Sequence, residues 1–522
     1  MRKKSKRYMK MYSLLLAAGL VLGLAGCGNT TTSTTENATT AEDTANIDGD
    51  KDTSSDNSGT DDTTNSANDD SIIDIDDIQI SETIEDSSDG GHAIEADGET
   101  AEYSNVSVKK TGEADGDEAD FYGENAAIFA TNGATLTLKN ITVDTDGTHA
   151  NGVFSYGEGT TVNISDSYIY TKSNCSGGLM TTGGGTMNAT NLTIVTDGNS
   201  SAAIRSDRGG GTVTVTKGSY TTNGTGSPAI YSTADITVND AKLTSTASEG
   251  VVVEGKNSVT LNNVTLTADN NKRNSDKSDT YKAVMLYQSM SGDADEGTAS
   301  FTMSEGSLIN KNGDIFFVTN TVATINLENV DIVNEDIDNV FLRAEAAGWG
   351  NEGSNGGNVT LNTKSQTING EIIVDEVSTL NMYLTDGSVF EGAINSEGDA
   401  GDVYVELDEG SAWTLTGDSY ITSLSCDKYS INLNGHKLYV DGKEYTEGSE
   451  SNGSAVEAKV SEGGGPNDGD RPEGEPPAKP DGEESDGEPP AKPDGEKPDG
   501  EPPAKPDGEK SDGEPPAKPD GE

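Results

Sequence analysis

The chain has 522 residues and a formal net charge of −57, with 31% apolar and 5% aromatic residues. Nucleic acids and anionic lipids attract basic surfaces, so this charge argues against nucleic-acid binding and against electrostatic docking on a membrane. A chain this polar cannot bury a large core along its whole length, so part of it is expected to be disordered.

The N-terminus begins with a basic segment that is followed by a short apolar run. The run covers residues 14–24 and is too short to span a bilayer as a helix. Residues 24–27, Leu-Ala-Gly-Cys, resemble the lipobox at which bacterial lipoproteins are cleaved before a lipid-modified cysteine. The resemblance implies a signal peptide over residues 1–26 and a mature chain anchored through Cys27 on the extracellular face of the cell membrane. An ordinary signal peptide that contains a cysteine is the alternative.

Two low-complexity arms flank the middle of the chain. Residues 27–90 are rich in Thr, Ser, Asp and Asn, which predicts a disordered acidic tether. Residues 446–522 form an acidic Pro/Gly-rich tail in which Gly-Glu-Pro-Pro-Ala-Lys-Pro-Asp-Gly-Glu starts at Gly474, Gly487, Gly500 and Gly513. Proline favours an extended polyproline conformation with no apolar face to pack, so this arm is predicted to be a disordered spacer.

Residues 91–445 contain internal repeats with three positions in common register. A first apolar position, a second apolar position and a polar step each recur every 22 to 27 residues. The three series are Ile128, Val153, Leu179, Ile204, Ile230, Val252; Leu136, Val162, Met187, Val213, Ile236, Val259; and Asn140, Asp166, Asn191, Gly218, Asp240, Asn263. Period-2 alternation, as in residues 135–138, and the absence of helical periodicity indicate short strands.

The repeats therefore predict an all-β fold, a single right-handed parallel β-helix of roughly 11 rungs with a C-terminal cap. Asn140, Asn191 and Asn263 are expected at one corner, with their amides bonded along the stack. Later rungs are placed at Met285/Phe301, Phe316/Ile325, Phe341/Val359, Ile373/Leu380 and Ile394/Val403, and the cap at residues 413–421 and 438–442. Three excursions, residues 269–280, 289–296 and 345–356, interrupt these rungs.

The three cysteines do not form a disulfide framework. Cys175 and Cys426 are predicted about eight rungs apart, too far to bond to each other. The three histidines are scattered, which argues against a zinc site.

The repeated Ala-Ile-x-x-Thr and Gly-x-Thr-x-Thr motifs and the Trp-x-Leu-Thr-Gly segment resemble the pectin-lyase-like right-handed β-helix superfamily. The chain is most similar to adhesin-type, carbohydrate-binding β-helix lipoproteins of clostridial gut bacteria, over residues 112–445. These motifs indicate the fold but do not indicate the function, because the same solenoid fold carries unrelated activities in different proteins.

Two kinds of chemistry on this scaffold were sought. A lyase needs a Ca²⁺ site and a basic residue, and a hydrolase needs paired carboxylates. The best basic candidate is Arg205, followed by Asp207 and Arg208, with simple surface charge as the alternative. Asp144, Asp146 and Asp197 are candidate Ca²⁺ ligands, although Asp-Gly is also an ordinary turn. No catalytic residue and no other cofactor is assigned. Candidate sugar-stacking residues are Tyr156, Tyr168, Tyr170 and Tyr220.

Two functions remain open. The first is a surface-anchored binding or adhesion protein whose rod is presented to a glycan or protein ligand. The second is a polysaccharide-active enzyme, either a lyase or a glycoside hydrolase. Carboxylates that converge with a basic residue on one face would favour the enzyme, and a flat ladder of Thr and Asn would favour the binding rod.

Overall fold

The computed structural model describes residues 72–398 and 401–459, and these residues fold into a parallel β-helix. The predicted signal peptide, Cys27, the tether up to residue 71 and the proline-rich repeats lie outside the described residues. Within the described ranges, no helix has the length and apolar character that crossing a membrane requires.

Two long sheets form most of the rod, and two short sheets lie toward its C-terminal end. Sheet B has eleven parallel strands, one for each turn: Ile94–Asp97, Ile128–Thr131, Val153–Tyr156, Leu179–Thr182, Ile204–Ser206, Ile230–Ser232, Val251–Glu254, Lys282–Tyr287, Asp314–Thr319, Val340–Ala344 and Glu371–Val374. Sheet A has nineteen strands: Glu82–Asp86, Thr100–Ser104, Val106–Lys110, Thr135–Lys139, Thr142–Thr145, Thr161–Thr171, Gly185–Thr196, Gly211–Thr222, Asp235–Asn239, Lys242–Ser245, Ser258–Ala268, Thr298–Asn310, Thr321–Glu328, Asp331–Asn334, Gly357–Lys364, Thr379–Thr385, Asp402–Leu407, Ser423–Cys426 and Ser451–Asn452.

Sheet C contains Thr367–Asn369, Val389–Gly392, Ala412–Leu415 and Ile431–Asn432, and sheet D contains Ser419–Ile421, Leu438–Val440 and Lys443–Glu444. The described helices are Asp117–Phe121 and the 3₁₀ turn Ile75–Asp77. The predicted all-β parallel solenoid of roughly 11 turns is thus confirmed.

The rod extends past both predicted boundaries of the solenoid. Strand Glu82–Asp86 pairs with Val106–Lys110, although residues up to 90 were assigned to the tether. Two terminal segments also lie along sheet A. We call residues 72–81 the N-terminal strap. Thr193 Oγ1 donates a hydrogen bond to the Ile73 carbonyl of this strap (2.7 Å). Residues 453–459, the C-terminal strap, bind Asn381 and Asn358 through the backbone of Val456 and Lys459.

A left-handed residue bends each long strand of sheet A at one corner. Asn140, Asp166, Asn191, Asp240 and Asn263 all have φ between 51° and 57° there. Asn and Asp tolerate this conformation better than other non-glycine residues. Their side chains also bond along the stack, with Nδ2–Oδ1 distances of 2.9 Å for Asn191–Asp166 and 2.7 Å for Asn263–Asp240. The predicted amide ladder at this corner is confirmed.

Two columns of apolar side chains fill the interior. The second predicted series, Leu136 through Val259, is in register and buried in every strand. The first series is correct as far as Ile230, where the structure pairs Ile230 with Val251. Val252, Met285 and Ile373 were therefore predicted one residue out of register, and Val251, Val284 and Ile372 take the inward positions.

The C-terminal end continues as parallel strands before antiparallel pairs close it. Trp413, predicted in the cap, is buried, stacks on Phe390 and donates from Nε1 to the Gly392 carbonyl (3.0 Å). Ser451–Asn452 then pairs antiparallel with Ser423–Cys426, and Lys443–Glu444 with Leu438–Val440. Cys426 is a buried free thiol, so it is not bonded to Cys175, as predicted.

Candidate functional site

One column of side chains on the outer face of sheet B is largely apolar. Its members lie one turn apart in the parallel register: Phe129, Phe154, Met180, Arg205, Tyr231, Val252, Met285, Phe317 and Arg343. Most of them are buried although they point away from the interior. A sheet that is apolar on both faces must be covered on both faces, and other segments of the chain provide the second cover.

The N-terminal part of this column lies under residues 111–127, which we call the helical loop. It contains the helix Asp117–Phe121. Ala126 of this loop packs with Phe129, Phe154 and Met180 in one buried cluster. Gly123, at φ 90°, allows the close approach, because a Cβ there would lie 2.3 Å from the Phe129 ring. Thr182 Oγ1 donates to the Phe121 carbonyl (2.7 Å), which fixes the end of the helix on the sheet.

The C-terminal part of the column lies under the third excursion. Trp349, from residues 345–356, packs edge-on against Tyr287 with ring centroids 5.3 Å apart, and it joins Val252, Met285 and Phe317 in one buried cluster. The predicted excursions thus fold back over sheet B. They cover a second, external apolar surface.

Between the two covers the column is open, and a groove lies there. We define the groove by Arg205, Tyr231, Glu249, Val252, Asn274 and Met285, which line a cavity of about 570 Å³ including the solvent at its mouth. A second cavity of about 400 Å³ continues from it and shares Glu249, Asn274 and Met285. Lys282 and Trp349 line the second cavity. The Lys282 ammonium lies 4.6 Å above the Phe317 ring, and burial lowers its pKa.

Arg205 forms one wall of the groove and is paired with a buried carboxylate. Its Nη2 lies 2.7 Å from Asp207 Oδ2, and its side chain is only 10% exposed. Burial raises the pKa of Asp207 to about 7, and Asp293 adds to this effect while Arg205 opposes it. Arg205, predicted as the best basic candidate, therefore lies in the candidate site and is not simple surface charge.

Behind the groove a second carboxyl is enclosed by two tyrosines. Glu254 accepts hydrogen bonds from the hydroxyls of Tyr231 and Tyr287, the latter at 2.7 Å. Burial raises the pKa of Glu254, and the two hydroxyl donors oppose this only in part. Burial and the Glu254 charge raise the pKa of both tyrosines well above 10. Both tyrosine hydroxyls therefore keep their protons near neutral pH and cannot act as general bases, because a general base must be deprotonated at the working pH.

Arg208 links the helical loop to the second excursion beside the groove. Its Nε lies 2.9 Å from Asp293 Oδ1 in the second excursion, and its Nη1 lies 3.3 Å from Asp117 Oδ2 in the helical loop. The guanidinium also lies 3.7 Å from the centroid of the Phe121 ring. The cation therefore has a positioning role between three segments.

The structure does not bring Asp144, Asp146 and Asp197 together as a Ca²⁺ site. Asp144 is paired with Lys172 (2.6 Å), and Asp197 accepts from Tyr170 and Asn223 (2.5 and 2.8 Å). Asp146 is exposed and faces Ser173 Oγ at 3.4 Å. Across residues 72–398 and 401–459, no three His, Cys, Asp or Glu side chains are grouped closely enough to hold a metal. Asp144 belongs to strand Thr142–Thr145, and only Asp146 and Asp197 precede a glycine; all three contact side chains of a neighbouring turn of the rod.

The predicted sugar-stacking tyrosines do not line the groove. Tyr220 is in the core and donates to the Lys217 carbonyl (3.0 Å), while Tyr156 packs edge-on against Tyr122. The aromatic residues that do belong to the site, Tyr231, Tyr287 and Trp349, were missed. Strands such as Lys282–Tyr287 and Asp314–Thr319 are buried at every position, and their unbroken apolar runs were the available signal for a doubly covered sheet.

The outer face of sheet A has the flat polar character expected of a binding rod. Outward positions of successive strands carry Thr or Asn in register, for example Thr137, Asn163, Asn188, Thr214, Thr237, Thr260, Thr302 and Asn326. Several amides bond to the next rung, as in Asn188–Asn163 at 3.0 Å. Both features sought from the sequence are therefore present, on different faces.

The fold and the groove define a class, the parallel β-helix with an externally covered sheet that opens at one groove. Comparisons of the chain with protein-family models, curated proteins and solved structures found no match.

Proposed function

We propose that this protein is a surface-anchored binding protein, held on the cell membrane through Cys27, and that the groove on sheet B takes a neutral glycan. The observation that carries the proposal is the composition of the groove. Tyr231, Val252 and Met285 supply an apolar surface, while Arg205, Glu249 and Asn274 supply polar groups beside it. Pyranose rings have apolar faces and hydroxyl edges, and binding pockets of this mixed type suit them.

The charge of the protein favours a neutral ligand over an acidic one. The net charge of −57 repels polyanions at long range, and the charge of Arg205 is balanced by Asp207 at 2.7 Å. An acidic sugar would also bring its carboxylate close to Glu249, which lines the same cavity, and like charges in a partly buried site repel each other. A protein ligand on the Thr and Asn ladder of sheet A is a second form of the same binding function.

A polysaccharide-active enzyme is the alternative, because Asp207 and Glu254 do converge with Arg205 on one face. Both carboxyls are fully buried, Asp207 against Arg205 and Glu254 under two tyrosine hydroxyls. Among the described residues, Glu249 is the acidic group that lines the main cavity. Hydrolysis needs two carboxyl groups placed about 5 to 9 Å apart around the substrate, so the geometry favours binding over cleavage.

The test uses the full-length chain on a glycan array, followed by calorimetry on the best ligand. Tyr231→Leu removes the aromatic surface of the groove and keeps apolar volume, so affinity should fall about tenfold, or 1.4 kcal/mol. Tyr429→Ala, an exposed tyrosine in the C-terminal region, is the matched control and should bind as the wild type does.

The same ligands are assayed for new reducing ends and for unsaturated products, with and without Ca²⁺. We expect no turnover. Product formation that Tyr231→Leu abolishes would replace the binding proposal with the enzyme alternative. Equal affinity of Tyr231→Leu and wild type would instead move the ligand to sheet A.

A further inference from the structure

A buried histidine fastens the helical loop to the rod in a way that requires one particular protonation state. His149 Nδ1 lies 2.9 Å from the Ala114 carbonyl oxygen, and its Nε2 lies 2.9 Å from Asp120 Oδ1. His149 is 1% exposed and Asp120 is 7% exposed, so water does not substitute for either contact. Both partners, Ala114 and Asp120, belong to the helical loop, whereas His149 belongs to the rod.

The two contacts together demand an extra proton. A neutral imidazole donates from one nitrogen and accepts at the other, whereas a carbonyl oxygen and a carboxylate both accept. Both hydrogen bonds form only when the pair holds one proton more than neutral histidine and ionised aspartate. The extra proton is shared within the 2.9 Å contact between His149 Nε2 and Asp120 Oδ1.

We propose that this shared proton is a pH-sensitive latch on the helical loop. When the proton is lost, His149 Nε2 and Asp120 Oδ1 are two hydrogen-bond acceptors that face each other in a buried contact. They then repel each other, and the loop separates from the rod. Separation uncovers the apolar column of Phe129, Phe154 and Met180 next to the groove. The proton is held in the closed state and released in the open state, so closure is favoured at low pH and weakens as pH rises through the range where histidines titrate.

Asp207, whose pKa burial raises to about 7, is hydrogen-bonded to Arg205 and to the Arg208 backbone, so its titration acts on the groove, and the variant Asp120→Asn separates it from the latch. His92 stacks on Phe129 and contacts the Ala126 carbonyl through Nδ1 (2.8 Å), so it lies against the other end of the helical loop from Asp120. Arg208 is paired with Asp117 of the helical loop, and an arginine keeps its charge at every pH of the experiment. The helix also carries Glu118, which is exposed to solvent.

The experiment is hydrogen exchange of the full-length chain between pH 5.5 and 8, corrected for intrinsic exchange rates and read over residues 113–126. In the wild type, the protection factors of this segment should fall about tenfold as the pH rises from 5.5 to 8. Loss of the proton leaves a buried polar group without a hydrogen bond. Strands of sheet A serve as the internal reference and should not change.

Asp120→Asn separates a latch from a merely structural contact. The asparagine amide can donate to the neutral imidazole while Nδ1 still donates to the Ala114 carbonyl, so the loop should stay protected and pH-independent. His149→Gln should leave the loop weakly protected at every pH. His436→Gln, at the other end of the rod, is the matched control and keeps the wild-type pH dependence.

Protection that does not depend on pH in the wild type would overturn the proposal. So would Asp120→Asn behaving as His149→Gln does, since that result would make Asp120 a structural partner with no role for the proton. Glycan binding is not needed for either readout, so the latch and the proposed function fail independently.

Discussion

Individual residues in this rod are selected by the direction in which each position points. Asn and Asp occupy most left-handed corner positions, while Lys217 and Glu305 occupy two of them. Gly218 was predicted at this step one residue out of register; it follows Lys217, and a Cβ there would lie 2.2 Å from the Leu192 carbonyl oxygen. Inward positions are aliphatic, and outward positions of sheet A are Thr or Asn. The sequence predicted this alternation correctly in sheet A because one face is wet and the other is dry.

The contrast between the two directions is testable with one substitution on each face. Ile204 is 0% exposed within the core, whereas Thr214 points outward between the buried Val213 and Val215. Ile204→Asp should lower the free energy of unfolding by several kcal/mol, because it places an unpaired carboxylate in an apolar column. Thr214→Asp should change it by about 0.5 kcal/mol or less. Urea denaturation followed by circular dichroism measures both, and equal effects would mean that the faces are reversed.

At the scale of secondary-structure elements, the strands of sheet A were predicted in register, whereas part of sheet B and the segments that cover it were not. In sheet B, Val252 and Met285 were predicted one position out of register, because both faces of these strands are apolar and period-2 alternation disappears. The covers could not be predicted for the same reason, since an excursion shows no sign in its own sequence of where it folds back. Arg205 was singled out from the sequence and does line the groove, but Tyr231, on the next turn, and Glu254, which accepts from the Tyr231 hydroxyl, could be placed beside it only with the true register.

The third excursion should depend on a single aromatic anchor. Trp349 is almost fully buried, and Asn355 Nδ2 donates to its carbonyl (2.8 Å) and to that of Ala347 (2.7 Å). Trp349→Ala should cost about 3 kcal/mol and expose Met285 and Phe317, while the interior of the rod remains folded. Increased binding of a hydrophobic dye with unchanged far-ultraviolet circular dichroism is the expected signature. Trp413→Ala, inside the rod, is the contrasting variant and should lower the circular dichroism signal itself.

At the scale of the whole molecule, the described residues share one continuous core. The residues that predict a cell-surface location lie near the N-terminus, outside the described ranges. The lipobox-like residues 24–27 are the basis for a surface location, and no helix in the described ranges offers a membrane span. The acidic composition disfavours attraction to anionic lipid. From the lipobox resemblance, we expect membrane association to depend on Cys27.

Cys27→Ser tests this dependence. The variant should move from the membrane fraction to the soluble fraction, because acyl chains on the cysteine thiol and amine can no longer be attached efficiently. Fractionation after a high-salt wash, with immunodetection of the rod, is the measurement, and Ser33→Ala provides a control in the same arm. A variant that still sediments with membranes would show that the lipobox resemblance is misleading.

The two straps have a mechanical consequence. Tension applied to the chain at residues 72 and 459 meets the strap contacts first, at Thr193 and at Asn358, and only later the ladders of the rungs. A pulled strap peels, so its hydrogen bonds break one after another at low force. Each strap can then release slack of about 3.3 to 3.6 Å per residue, some 20 to 35 Å, before any rung is loaded. A rod held by its ends in flow would thus lengthen by a few nanometres while its groove stays intact.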